Sequence, residues 1–283
     1  MSIVVTAATG HLGRLVIDEL LTRVPADQVV AVVRDAEKAA DLAARGVELR
    51  IADYNDQAAF AKAFNAGDTV LLISGNEPNR VSQQEGIIAA AKEAGVGRIA
   101  YTSVLGGPEA DFALAADHKA TEQAILESGL SYTFLRNGWY NEVYTDQIAV
   151  QLEHGVVGST GDGRVGSAAR RDYATAAAVV LTGEGHEKKA YELNGDVSWT
   201  LAEYAAELSA QAGKDVAYNN VPEETLVGVL VGAGLPEVMA KVFADVDVAI
   251  GRGLLAGRGN DLSRLIGRPT TPLADSIAAA LKK

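Results

Sequence analysis

The chain has 283 residues, 48% of them apolar, enough to bury a large core and to build one big domain or one domain with an appendage. A net charge of −12 repels nucleic acid and anionic membranes, so a phosphate-bearing ligand has to be met by locally concentrated positive charge and backbone N–H groups. The absence of cysteine excludes disulfides, thiolate metal sites and a cysteine nucleophile, and His11, His118, His154 and His186 are too scattered for a local metal cluster. No basic leader or cleavage site opens the chain, and its longest uncharged apolar stretch, 226–235, is too short and too glycine-rich to span a bilayer. The expectation is a cytoplasmic monomer or homodimer with a small-molecule partner and neither nucleic acid nor membrane.

Short β-rich runs alternate with helical patterns from the first residue. Strands are expected at 3–6, 29–33, 48–51, 69–73, 98–102 and 131–135, mostly continuous Val, Ile, Leu and Ala, as in strands covered on both faces. Helical spacing fills the gaps at 12–23, 37–45, 57–64, 81–94 and 114–128, and Gly46, Gly95 and Gly129 stand where C-terminal caps belong. Repeated strand–helix units with short connections imply an α/β fold, a doubly wound parallel sheet of the Rossmann kind, whose ligand crevice lies beyond the carboxyl ends of the strands. After 144 the rhythm breaks. A glycine-rich segment at 155–167, a helix at 173–181, a strand at 190–193, a helix at 201–212, two helices beyond Pro222 and a last one at 274–281 read as a smaller mixed region. The expected division is a nucleotide-binding domain at 1–144, to which later strands or helices can return, and a substrate-binding region at 145–283.

The first turn reads Thr6-Ala7-Ala8-Thr9-Gly10-His11-Leu12-Gly13. In a nucleotide-binding turn one glycine bends the chain, a second lets backbone approach the pyrophosphate and a third lets helix pack on strand. Gly10 and Gly13 occupy the second and third places and Ala7 replaces the first. Thr9 adds a hydroxyl at the helix start, where phosphate would sit. A left-handed Ala7 would cost about 1–2 kcal/mol, a loss of roughly tenfold to thirtyfold if charged against binding. The run Gly161-Asp162-Gly163-Arg164-Val165-Gly166 also spells GxGxxG, but no strand–helix unit surrounds it and a turn is the better reading.

Arg34 stands at the tip of the second strand, about twenty residues past the glycines, where an arginine would accept a 2′-phosphate and an acid would grip a ribose hydroxyl. It points to NADP, with Lys38 assisting and NADH a weaker alternative. The competing reading is a solvated arginine followed by Asp35 as a helix cap, and the two are compatible.

These runs, with Ala52-Asp53-Tyr54, Leu71-Leu72-Ile73-Ser74-Gly75, Ala100-Tyr101-Thr102-Ser103 and above all Leu135-Arg136-Asn137-Gly138-Trp139-Tyr140, resemble the NmrA-like group of atypical short-chain dehydrogenase/reductases, quinone and triphenylmethane reductases among them. Ala7 departs from that family's glycine. The resemblance implies cofactor contacts from Ala8, Thr9, Gly10, His11, Leu12 and Gly13, from Arg34, from Asp53 and Tyr54 near the adenine, from Ile73, Ser74 and Gly75, and from Thr102 and Ser103. Asn137, Gly138, Trp139 and Tyr140 would border the nicotinamide and the substrate.

Short-chain reductases usually carry a YxxxK pair on one helix face, so that lysine lowers the tyrosine pKa and tyrosine protonates an alkoxide. No YxxxK occurs in this chain. At the corresponding place stands His118-Lys119-Ala120-Thr121-Glu122, where His118 is a candidate weak acid or pocket former and a packed structural histidine is the equal alternative. An aliphatic alkoxide needs a good acid beside it, whereas a quinone becomes a phenolate whose conjugate acid has a pKa of about 10, so water suffices. The sequence therefore supports an NADPH-dependent reductase acting on a quinone-like planar acceptor, with Asn137, Tyr140 and His118 as candidate catalytic-site residues and no metal. The alternative is a non-catalytic NAD(P)-sensing regulator.

Overall fold

The computed structural model describes residues 1–282. In chain order the first part runs β1 (Ile3–Val5), α1 (His11–Leu20), β2 (Val29–Val33), α2 (Ala40–Ala44), β3 (Glu48–Ile51), α3 (Gln57–Ala63), β4 (Thr69–Leu72), α4 (Arg80–Glu93), β5 (Arg98–Val104), α5 (Ala113–Ser128) and β6 (Tyr132–Asn137). It continues with α6 (Glu142–Thr145), α7 (Ile148–His154), β7 (Val156–Gly158), α8 (Arg170–Thr182), β8 (Lys189–Leu193), α9 (Leu201–Ala212), β9 (Tyr218–Asn220), α10 (Glu223–Gly232), α11 (Glu237–Gly251), α12 (Asp261–Ile266) and α13 (Leu273–Ala280).

The strands form a 7-stranded sheet in the order β3-β2-β1-β4-β5-β6-β8. The pairings from β3 through β6 are all parallel, and the register opposes Val4 to Val30 on one side and to Val70 on the other. Every residue of β2 and β5 is buried, which explains their unbroken apolar or small-residue character. Strand order reverses between β1 and β4, so the crevice opens beyond Val5 and Leu72. Phe60, Ile87, Ile99 and Tyr101 fill one face of the sheet. Helix α1 turns Leu12, Val16, Ile17 and Leu20 inward at helical spacing. Gly46, Gly95 and Gly129 take φ of 87°, 73° and 77°, the left-handed angles that a helix-terminating glycine supplies.

The chain divides into two compact units, each discontinuous. The first comprises 1–104, 117–137 and 171–191, and the second 105–116, 138–170 and 192–283. The boundary expected at 144 thus falls inside a segment of the second unit. Most of α8 and β8 goes to the first, because a parallel sheet still open at β6 can accept a further strand there.

The second unit holds a two-stranded parallel sheet, β7 with β9. Helix α9 starts on a capping box, Thr200 with Glu203, and ends on Gly213 at φ 65°. Helices α6, α7 and α12 and strands β7 and β9 escape the sequence reading because they are too short to establish a period, and β9 reads Tyr-Asn-Asn. The second GxGxxG run is a turn closed by Gly163 N–H on the Thr160 carbonyl at 2.9 Å. A Cβ on Gly163 would lie 2.4 Å from the Ile250 carbonyl oxygen, so this glycine serves close packing on α11.

Asp247 of α11 accepts the Ser159 N–H at 2.8 Å. Burial lifts its carboxyl from 3.8 to about 6, and the Ser159 bond offsets that only in part. A carboxyl whose folded pKa is raised contributes fully below its unfolded value and loses that contribution as pH climbs through about 6. Asp247→Asn, which keeps an acceptor for Ser159, should therefore raise stability above pH 6 by up to about 3 kcal/mol, at about 1.4 kcal/mol per unit. The gain should vanish near pH 4, and urea melts of both proteins at the two pH values measure it.

Candidate active site

In the first unit the site is built at the switch point. Ala7 adopts φ 47°, the left-handed region that a glycine would occupy freely. Gly10 is extended, at φ −73° and ψ 167°, and donates its N–H to the Ala7 carbonyl at 2.9 Å. A Cβ on Gly13 would come within 2.4 Å of that carbonyl oxygen and 2.8 Å of the Ala8 Cα, so helix and turn touch backbone to backbone. Ala8, Leu12 and Gly13 are buried, whereas Gly10 and His11 are exposed at the helix start. Helix α1 has neither a side-chain cap nor an acidic residue in its first turn. Its unpaired N–H groups and dipole thus face outward from a turn of small residues, and this cradle fits a pyrophosphate.

At the tip of β2 the Arg34 side chain is 73% exposed and its Nε lies 3.9 Å from Asp53 Oδ2 at the end of β3. An exposed pair at that distance holds its guanidinium weakly, so a phosphate can take it over at small cost. Asp35 does cap the next turn, accepting the Glu37 N–H at 2.9 Å, and Lys38 Nζ is 4.0 Å from the same carboxylate group. Arg14, which the sequence did not single out, ties α1 to the following segment through Asp41 and the Lys38 carbonyl, both at 2.6 Å.

At the ends of β4 and β5, Tyr54 donates to the Ile73 carbonyl at 2.6 Å and lies 2.6 Å from Thr6 Oγ1, which in turn accepts the Ile73 N–H. Burial pushes the Tyr54 hydroxyl well above the ordinary phenol range, so the group stays protonated and committed within the fold. Only its ring remains for an adenine. The Ser74 N–H donates to Thr102 Oγ1 at 2.9 Å, which joins Ser74 and Thr102 at neighbouring strand ends beside Gly75.

Two of the candidate side chains have partners within the fold. The Ser103 hydroxyl donates to Glu122 Oε1 at 2.6 Å, inside a cluster where Arg136 grips the same carboxylate through Nε at 2.9 Å and Nη2 at 2.8 Å. His118 is buried, with Nδ1 2.8 Å from the Tyr101 hydroxyl. Burial, and then Arg80, lower its pKa to about 4 against an opposing pull from Asp117, so at neutral pH it has no imidazolium proton to deliver. It is the packed alternative. The Glu122–Arg136 pair has no local sequence pattern, because its members come from α5 and β6; an arginine inside a strand was the one hint that an acid had to be near.

In the second unit, Gly138 N–H donates to the Leu193 carbonyl at 2.6 Å and Trp139 accepts the Ala168 N–H at 3.1 Å, which fixes the run after Asn137. The Trp139 ring meets Phe243 edge-on at 6.4 Å, and the Arg170 guanidinium lies 5.2 Å from the Tyr140 ring centre. Neither Phe243 nor Arg170 carried a sequence signal.

A glycine-tight turn at the point where a parallel sheet reverses its strand order, with an arginine at the tip of the second strand, defines a dinucleotide-binding protein of the Rossmann class. The family described as NAD(P)H-binding matches residues 7–184, and the chain belongs to it. Quinone oxidoreductase 2 of Escherichia coli strain K12 is 48% identical over 278 residues, covering 98% of this chain and 97% of that one. Among solved structures, the NADPH-dependent quinone oxidoreductase QOR2 of Escherichia coli, complexed with NADPH, superposes with a TM-score of 0.96 at 47% identity, covering 99% of each chain. The triphenylmethane reductase of Citrobacter sp., complexed with NADP(H), gives a TM-score of 0.94 at 42% identity, covering 99% of this chain and all of its own.

The left-handed angle at Ala7 is held by contacts internal to the fold, the Gly10 bond and the approach of Gly13, so its cost of about 1–2 kcal/mol enters the folding equilibrium rather than binding. Ala7→Gly relieves it but frees the unfolded chain, which returns about 0.5–1 kcal/mol. The variant should be more stable in urea by up to about 1 kcal/mol, with its Kd for NADPH changed less than about threefold by calorimetry. A tenfold tightening would mean that the strain is released on binding.

Proposed function

We propose that the chain is a cytoplasmic, monomeric or homodimeric NADPH-dependent oxidoreductase that reduces a quinone or a similar planar electrophile. The observation that carries this reading is the conjunction of an uncapped, glycine-tight helix start with the exposed Arg34, set in a chain colinear with an Escherichia coli quinone oxidoreductase. NADPH, when bound, supplies the hydride.

The chain's own residues bind and orient. The turn from Ala8 to Gly13 holds the pyrophosphate through the N–H groups that its own bonds leave open, Arg34 takes the 2′-phosphate with Lys38 near it, and Asp53 and the Tyr54 ring border the adenine. Ile73, Ser74, Gly75 and Thr102 line the strand ends, with Ser103 contributing through its backbone. Asn137, Gly138, Trp139 and Tyr140 border the nicotinamide and the acceptor. With His118 neutral and packed, no protein acid is assigned. A quinone tolerates this because the phenolate it becomes has a conjugate acid of pKa about 10 and takes its proton from water. Orientation of the acceptor then supplies much of the rate.

Purified protein with NADPH and benzoquinone should lose nicotinamide absorbance faster than an enzyme-free control, and NADH should serve less well. No acceleration with any of several quinones would end this reading. Arg34→Ala should raise the Kd for NADPH by roughly tenfold to a hundredfold, the loss of one charge-assisted contact, while leaving that for NADH within about threefold.

A further inference from the structure

The first unit holds, beside the tip of β4, a polar atom that its own fold leaves unsatisfied. Gln83 of α4 is only 4% exposed, and its Oε1 is buried with no hydrogen-bond partner among the described residues. Such an acceptor is costly unless something donates to it. The amide cannot turn round to hide the oxygen, because a chain of bonds fixes which end faces where. A carboxylate oxygen only accepts, and Asp53 Oδ1 receives the Asn55 N–H at 2.8 Å and Asn55 Nδ2 at 3.1 Å. The Asn55 side-chain oxygen is thereby turned away from Asp53, and it takes Gln83 Nε2 at 2.9 Å and Asn79 Nδ2 at 3.1 Å. Gln83 has committed its donor end to this chain and presents an acceptor at the other.

That acceptor borders a recess over Gly75. A Cβ built on Gly75 would lie 3.7 Å from Gln83 Oε1, 3.7 Å from Tyr54 Cδ2 and 3.8 Å from Arg80 Cβ. Ordinary contact distances on three sides define room for one methyl-sized group, walled by the ring assigned above to the adenine. Arg80 does not supply the missing donor, since its guanidinium is turned to Asp117 with Nε at 2.6 Å. The exocyclic amine of adenine is methyl-sized and carries two N–H donors. We propose that Gln83 is the residue that recognises adenine: its Oε1 accepts from the 6-amino group seated over Gly75, and the chain through Asn55 to Asp53 orients the amide. The same Asp53 carboxylate faces Arg34 at 3.9 Å, so the base and the 2′-phosphate are read by one connected set of side chains. This deepens the NADPH reading and rests on it.

The probe is the NADPH analogue with hypoxanthine in place of adenine, whose 6-oxo group would set oxygen against oxygen. Calorimetry gives the Kd of NADPH and of the analogue for the natural protein, Gln83→Leu and Gly75→Ala, and the ratio of the two constants within each protein cancels any general loss of binding. The natural protein should prefer NADPH by about tenfold, the difference between a hydrogen bond made and an acceptor left facing another. In Gln83→Leu the preference should fall to within about twofold. Gly75 is not left-handed and its backbone accepts alanine, so Gly75→Ala leaves the amide chain intact and fills the recess with a methyl group. This variant should bind NADPH about tenfold more weakly and also lose the preference. Urea melts of both variants check that they fold. Equal binding of the two dinucleotides by the natural protein, or a full preference retained in either variant, overturns the assignment and makes Gln83 a structural amide while the NADPH reading stands. If the natural protein binds neither dinucleotide, the cofactor reading falls and this inference with it.

Discussion

Everything on the cofactor side depends on one close approach, that of α1 to the turn leaving β1. Gly13 lies so near the Ala7 carbonyl that a single added carbon would sit 2.4 Å from the oxygen. This contact places the helix start directly over the strand tip and aims its unsatisfied N–H groups into the crevice. It also holds Ala7 in a left-handed conformation that costs an alanine and not a glycine. The turn carries this angle at a local energetic penalty, in a sheet whose β2 and β5 are buried along their whole length.

The polar groups at the strand ends divide into those committed inward and those left facing the crevice. Tyr54, Ser103 and His118 belong to the first kind, each satisfied by a partner at 2.6–2.8 Å. A largely buried ion pair, Glu122 with Arg136, holds β6 against α5. A carboxylate forked by a guanidinium is fixed in place by two parallel hydrogen bonds, which suits it to positioning.

The second unit follows a different logic. Its aromatic cluster of Tyr144, Trp199 and Tyr204 packs rings at 4.9–5.8 Å. Its loops are tied to helices by single carboxylates: Asp247 to Ser159, Asp245 to Ala113, and Glu142 to the Arg170 N–H at the start of α8. Each tie uses one carboxylate and one backbone N–H. They also make the unit responsive to pH, because Asp247 is held where its ionised form is disfavoured.

The sequence by itself determined the order of strands and helices in the first half, the glycine caps, the position of the crevice, the cofactor class and the absence of a tyrosine–lysine pair. These are local properties: periodicity, a turn residue or a motif is complete within a dozen neighbouring residues. Tertiary structure alone decided which polar residues were available. Ser103 and His118 are engaged by Glu122 and Tyr101, partners 19 and 17 residues away. It also decided that Ala7 is left-handed, since the angle is imposed by a helix packing on a strand and leaves no mark in the letters around it. Hydrogen bonds and ion pairs between distant segments depend on where the backbone brings them, and a linear pattern carries no record of that distance.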